Sequence, residues 1–325
     1  MDSLTQATLG AAVGQAVLGH KIGNKAPALG ALIGTLPDLD VLLVPFLDPL
    51  EKISIHRGYS HSILFCIASA IILGVVLKRL KWTARMDSFS LVLVSFLCLF
   101  THILLDAITT YGTQLFLPFT DWRVSFDSIN IIDPVYTIPL LAGVLISAYQ
   151  NWNNSRFSGR FNTLGLILSS MYLVFTLAHK QHIESVFVDQ LESQSKKGFE
   201  LLTVPVRIGN MHWYGVAKTP DELYIGKYSS IDKNKINFHR FPINEALLED
   251  LDNRLVEKMK WFAQGFYTVA EADGRIRIYN MQCDMQGVRQ FRDYKAPTAF
   301  YFEIEHKENG GYDLSSGMHR DGKIE

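Results

Sequence analysis

Up to about residue 182 the chain consists of long apolar runs separated by short polar loops. Beyond that point apolar and polar positions alternate with the period of two that marks strands. Runs near the roughly 20 residues needed to cross a bilayer fall at 62–78, 88–109, 134–150 and 162–179. Two weaker segments precede them, 4–19 (LTQATLGAAVGQAVLG) and 27–47 (PALGALIGTLPDLDVLLVPFL), the second interrupted by PDLD. In these two, Gly10, Gly14, Gly30 and Gly34 place small residues four apart, the spacing that lets helix backbones approach closely. The pattern predicts a polytopic α-helical membrane bundle of about six segments over 1–182, followed by an α+β domain over 183–325.

In that second domain, LLTVPVRI, HWYGVAKT, ELYIGKYSS, FYTVAEA, RIRIYNM and AFYFEIEH read as strands. Leu247, Leu248, Leu251, Leu255, Met259 and Phe262 recur at helical spacing and predict one helix near 244–264. No internal repeat is visible. Trp213 is expected to pack on one face of its strand with His212 facing the other way. His239, His306 and His319 show no metal spacing, and His179 and His182 fit a membrane boundary.

Charge sharpens the division. Of 32 acidic residues only ten lie in the first 182 positions, and the chain is 48% hydrophobic with 19% charge. Basic residues crowd three loops, Lys21 with Lys25, Lys78, Arg79, Lys81 with Arg85, and Arg156 with Arg160. The positive-inside rule makes these loops cytoplasmic, so both ends of the bundle and the second domain are expected outside a bacterial inner membrane. The first apolar stretch lacks a basic leader, and the N-terminus is expected to be retained. A net charge of −1 gives no basic footprint for nucleic acid. The three cysteines, Cys66, Cys98 and Cys283, form neither a disulfide framework nor a metal knuckle.

Candidate chemistry sits in three short stretches and, through Asp2, in the opening MDSLTQATLG. CLFTHILLDAITTYG puts His102 and Asp106 four apart on one helix face, a workable spacing for two ligands of one ion. In ISIHRGYSHSILF, His56 and His61 are five apart and bracket a turn, with Ser60 as expected N-cap of the next span and Arg57 available to an anion. GTLPDLD places Asp38 and Asp40 in an apolar segment, where free carboxylates are costly. With the bundle oriented as above, Asp2, His56, His61, His102 and Asp106 fall at or near the outer side, and Asp38 and Asp40 lie mid-to-outer in the second segment. A shared divalent cation explains that convergence, and mixed carboxylate and imidazole donors suit zinc, manganese or iron.

Those stretches, MDSLTQATLG, GTLPDLD, HRGYSHS and HILLDAITTYG, resemble the bacterial membrane-bound metal-dependent hydrolases typified by YdjM, also described as LexA-binding and inner-membrane-associated. The resemblance covers about the first 140 residues. It implies a polytopic inner-membrane hydrolase distantly similar to zinc-dependent phospholipase C and P1-type nucleases. It also implies Asp38, His56, His61, His102 and Asp106 as ligands, with Asp2 and Asp40 as further candidates. The chain departs from the family at Gln6, where members usually carry histidine.

The expected mechanism has the ion activating water at a phosphoester of a lipid-linked substrate, with Arg57 steadying negative charge and Asp40 orienting the water or acting as base. The bilayer itself is the expected partner. Two other classes fit the same residues: a non-catalytic, metal-stabilised scaffold, and a divalent-cation transporter. Clustering at one face rather than along a path disfavours the transporter.

Overall fold

The computed structural model describes residues 1–153, 159–206, 208–272, 274–282, 300–306 and 312–318. Arg156, Cys283 and His319 lie outside the described residues. The chain divides into two compact units, Met1–Phe46 with Ile55–Leu177, and Leu47–Ser54 with Ala178–Glu325.

The first unit is helical: α1 (Ser3–Ile22), α2 (Lys25–Gly34), a 3₁₀ segment Pro37–Phe46, the end of α3 (Pro49–Ile55), a 3₁₀ turn Tyr59–His61, α4 (Ile63–Leu77), α5 (Ser88–Ile108), α6 (Pro134–Asn153) and the first part of α7 (Arg160–Ser193). Local chemistry sets the starts. Asp2 caps α1 by accepting from Thr5 N at 3.0 Å, and Asp87 caps α5 by accepting from Ser90 N at 2.7 Å. The cap of α4 is Ser62, whose hydroxyl accepts from Phe65 N at 3.1 Å. This corrects the expectation for Ser60: His61 precedes the helix in a 3₁₀ turn instead of sitting in its first turn.

α5 is central, packing against α1, α2 and α4. Its buried positions, Leu91, Val94, Ser95, Cys98, Leu99, His102, Ile103 and Asp106, follow helical spacing, so the His–Asp pair extends the stripe that buries the helix. α1 and α2 touch through backbone. A methyl group on Gly10 would fall on the carbonyl oxygen of Gly30, and one on Gly30 on that of Gly10. At one end of the unit, Lys21 donates to Asp87 and Ser90, and Lys25 lies 5.8 Å over the Trp82 ring. The opposite end holds Met1, the last turns of α5 and the start of α6, where Asp2 N donates to Ile131 O at 3.1 Å.

Among the described residues, α5 and α7 are each long and apolar enough to cross a membrane alone. Two bent pairs, α2 with Pro37–Phe46 (42°) and Leu50–His61 with α4 (55°), raise the count to four if each forms one broken span. The six segments expected from the pattern all exist as helices. Helices α1 and α6, however, are not apolar enough over 18 residues to qualify as spans.

The second unit contains an architecture repeated twice, although no sequence repeat is visible. The end of α7 leads into an antiparallel sheet β1 (Glu200–Pro205), β2 (His212–Lys218), β3 (Glu222–Ser229) and β4 (His239–Pro242). Helix α8 (Asn253–Phe262) then leads into β5 (Tyr267–Ala272), β6 (Arg275–Asn280), β7 (Phe300–His306) and β8 (Tyr312–Met318), again antiparallel and in sequence order. Each helix passes to its first strand through a Gly–Phe pair with the glycine at positive φ, 66° at Gly198 and 80° at Gly265. Ile183 and Phe187 of α7 pack with Trp213, Tyr228 and Ile236, and Phe262 of α8 meets Phe302 edge to face at 5.7 Å. The helix expected over 244–264 is broken: a 3₁₀ turn at Glu245–Leu248 precedes α8, which Asp252 caps. His179 belongs to this unit and hydrogen-bonds Asn210 Oδ1 at 2.8 Å, while Trp213 is buried in β2.

Candidate metal centre

Three elements of the first unit bring carboxylate and imidazole groups together. Asp38 comes from the 3₁₀ segment after α2, His61 from the turn before α4, and His102 and Asp106 from the last turns of α5. One donor atom from each lies within 4.8 Å of all the others. His61 Nε2 and His102 Nε2 are 3.2 Å apart. Asp38 Oδ1 is 3.5 Å from both, and Asp106 Oδ2 is 3.3 Å from His61 Nε2 and 3.6 Å from His102 Nε2.

These separations suit a small cation. Four donors placed tetrahedrally at about 2.0–2.2 Å from an ion stand about 3.3–3.6 Å from one another. Hydrogen bonding points the same way. His102 Nδ1 meets Gly34 O at 2.6 Å, and since a carbonyl only accepts, Nδ1 carries the proton. The Ser60 hydroxyl donates to Asp40 Oδ2 at 2.8 Å, so its oxygen is left to accept from His61 Nδ1 at 2.9 Å. With the Nδ1 side of each ring so occupied, both Nε2 atoms face each other and two carboxylates. Asp106 Oδ2 is buried and accepts no hydrogen bond. A cation would satisfy this set of two ring nitrogens and two carboxylates, and the residues present therefore fit one.

Around the four lies a supporting layer. Asp40 accepts from Arg57 N at 3.2 Å and from Ser60, pairs with His56 Nδ1 at 3.0 Å through Oδ1, and stands 3.4 Å from His61 Nδ1. It thereby holds His61 by the ring nitrogen that faces away from the cluster. Arg57 Nη1 donates to Thr109 Oγ1 at 2.8 Å and to Asp106 O at 3.3 Å, and Nη2 lies 3.2 Å from Asp106 Oδ1. Its Nε is buried without a hydrogen bond. Arg57 has a φ of 59°, a left-handed conformation unusual for a side-chain-bearing residue, held by Asp40 on its N–H and by Gln114 N donating to its carbonyl at 3.1 Å.

Besides Asp40, two more sequence candidates stand outside the four-residue group. His56 is half-exposed, with its ring held by Asp40, and Asp2 serves as the α1 cap. Gln6 is buried beside the group, donating through Nε2 to Asp106 Oδ1 at 2.9 Å and to His102 O at 3.3 Å, while Oε1 has no hydrogen bond. The amino nitrogen of Met1 also donates to Asp106 Oδ1, a contact with no sequence signal because 105 residues separate the partners.

No solved structure matches the chain. A curated relative, the uncharacterized protein YfhP of Bacillus subtilis (strain 168), is 27% identical over 260 residues, covering 76% of this chain and 74% of the relative. The family model described as YdjM inner membrane protein matches residues 1–183, which include every residue of the four-donor group and its supporting layer. By that match the chain belongs to the YdjM inner membrane protein family.

Proposed function

We propose that the protein is a metal-dependent hydrolase that cleaves phosphoester bonds of lipid-linked substrates at the outer headgroup layer of the inner membrane. The observation that carries this reading is the set of donor separations among Asp38, His61, His102 and Asp106, 3.2–3.6 Å wherever a ring nitrogen is one of the pair. When bound there, a divalent ion, zinc by the fit of two imidazoles and two carboxylates, supplies Lewis acidity that lowers the pKa of water and polarises a phosphoryl oxygen.

The chain's own residues do the rest. Asp40 locks the His61 ring and, through its other oxygen, the His56 ring. His56, half-exposed and held at Nδ1, is the group placed to pass a proton at Nε2 to a leaving oxygen. Arg57 offsets the charge of Asp106 and has its Nε uncommitted for an oxyanion. Of the four donors Asp38 alone is more than marginally exposed, at 22% of its side chain, so substrate approaches from its side. The loops that carry basic residues face the cytoplasm in this reading, and the second unit faces outward.

The test is release of headgroup or phosphate from phospholipids and simple phosphodiesters by the full chain in nanodiscs. Turnover should appear with zinc or manganese, vanish with chelator and be absent in His102→Ala. Metal-loaded protein without turnover would leave the centre a structural staple, the scaffold reading that the buried Gln6–Asp106 contact also accommodates.

A further inference from the structure

Between α5 and α6 the chain makes a tongue whose base is fixed and whose tip is aromatic. Thr113 and Val124 exchange both backbone hydrogen bonds at 2.9 Å, closing the base. Ile63 N donates to Leu115 O at 2.9 Å, and the returning chain is tied to the last carbonyls of α5 by Phe126 N to Ala107 O and Ser128 N to Ile108 O. Inside the tip, Phe119 N and Thr120 N both donate to Phe116 O. The turn is therefore ordered by its own backbone bonds, yet its large side chains point outward. Phe119 is 85% exposed and Trp122 61%, and the Phe116 and Trp122 rings stack at 6.0 Å and 11°.

A rigid turn that exposes three aromatic rings requires a cover. Its position names the cover. The tongue starts five residues after the end of α5, a helix long and apolar enough to cross a bilayer, so it lies where that span meets the headgroups. Trp and other aromatic rings favour that layer, where an apolar body and a polar edge are both accommodated. A second apolar ridge accompanies it. On the 3₁₀ segment that presents Asp38 and Asp40 to the site, Leu39, Val41, Leu42, Leu43 and Phe46 are exposed on the other side.

We propose that residues 113–124 form an interfacial membrane anchor, its Phe116, Phe119 and Trp122 tip lodged among the headgroups and upper acyl chains of the bilayer. Gln114 N, at the base of the same tongue, hydrogen-bonds the carbonyl of Arg57. The anchor therefore fixes the depth of Arg57 and of the donor cluster it borders, and holds the site level with lipid headgroups. This goes beyond the hydrolase reading and does not require turnover.

The test uses the full chain in phosphatidylcholine–phosphatidylglycerol nanodiscs, comparing wild-type emission with that of Trp122→Phe to isolate Trp122 from the other tryptophans. Lipids brominated near the headgroup should extinguish the Trp122 component more than lipids brominated near the bilayer centre, and aqueous iodide should have little effect. Moving the probe, Phe119→Trp in the Trp122→Phe background, should give the same order and guards against a local perturbation at one position. Quenching by iodide without a lipid effect would place the tip in water and overturn the proposal. Insensitivity to both quenchers would mean that another protein surface covers it, and would overturn the proposal equally.

Discussion

His61 and His102 aim their Nε2 atoms at each other across 3.2 Å while Asp40 with Ser60 holds the far nitrogen of one ring and Gly34 O that of the other. Two imidazole nitrogens facing each other beside the carboxylates of Asp38 and Asp106 form a donor set that a divalent cation satisfies. Purified protein is expected to bind a divalent ion. His61→Ala and His102→Ala should weaken that binding by more than the about 10–100-fold that loss of an orienting partner costs. Elemental analysis and calorimetric titration of chelator-stripped protein measure this, and unchanged affinity in both variants would remove the centre.

Asp40 and Asp2 should separate by their kind of defect. Asp40→Asn keeps the size of the side chain but withdraws charge from the His61 and His56 rings, so metal affinity is expected to fall about 10–100-fold with the fold retained. Asp2→Ala removes a helix cap and should cost about 1 kcal/mol of stability with metal affinity unchanged. Titration and thermal unfolding in detergent, run on both variants, distinguish the roles. A metal defect in Asp2→Ala matching that of Asp40→Asn would make Asp2 part of the centre.

How much of this could be read beforehand depends on distance along the chain. The His102–Asp106 pair is legible because helical periodicity alone puts both on the buried stripe of α5. Asp38 and Asp40 look equivalent in sequence, and only the 3₁₀ path sends one toward the ring nitrogens of the cluster and the other behind His61. The sequence pattern points to Ser60 as the cap of α4 but the structure uses Ser62, which changes what Ser60 does, from starting a helix to linking Asp40 with His61. Contacts of Gln6 and Met1 with Asp106 join residues 100 or more positions apart and leave no local pattern. In the second unit, β4 is a four-residue strand ending in proline and β8 carries YDLSSGM, so neither has the alternation that revealed the other strands.

The contact of α1 with α2 predicts an inverted sign for a familiar substitution. Glycine to alanine within a helix ordinarily stabilises by up to about 1 kcal/mol. At Gly10 or Gly30 the new methyl group would strike the facing backbone, so Gly10→Ala and Gly30→Ala should each destabilise by about 1–3 kcal/mol, the usual cost of overpacking. Gly23, at φ 57° with open space around it, is a control in which alanine suffers from backbone conformation alone. Thermal unfolding of the detergent-solubilised chain gives the comparison, and stabilisation by Gly30→Ala would show that the helices do not approach this closely.

In the second unit, Glu303 on β7 meets Arg277 of β6 at 2.7 Å and Arg275 at 2.9 Å. Burial pushes the Glu303 carboxyl upward, but hydrogen bonds from the two guanidinium groups outweigh it and hold the carboxyl below the usual glutamate range. A carboxylate lowered on folding adds stability above its unfolded pKa, near about 4.3, and that addition disappears as pH falls through the folded value. At neutral pH, Glu303→Gln is expected to lower the protection of the β6–β7 amides by about 1 kcal/mol. Below about pH 4 the gap between wild type and variant should close, because the wild-type carboxyl takes up the proton that makes it equivalent to the amide. Hydrogen exchange of the full chain, corrected for the intrinsic rate at each pH, reads this at the strands concerned. A gap that stays constant from pH 7 to below pH 4 would mean that the pair orders the strands by shape and packing instead of by charge.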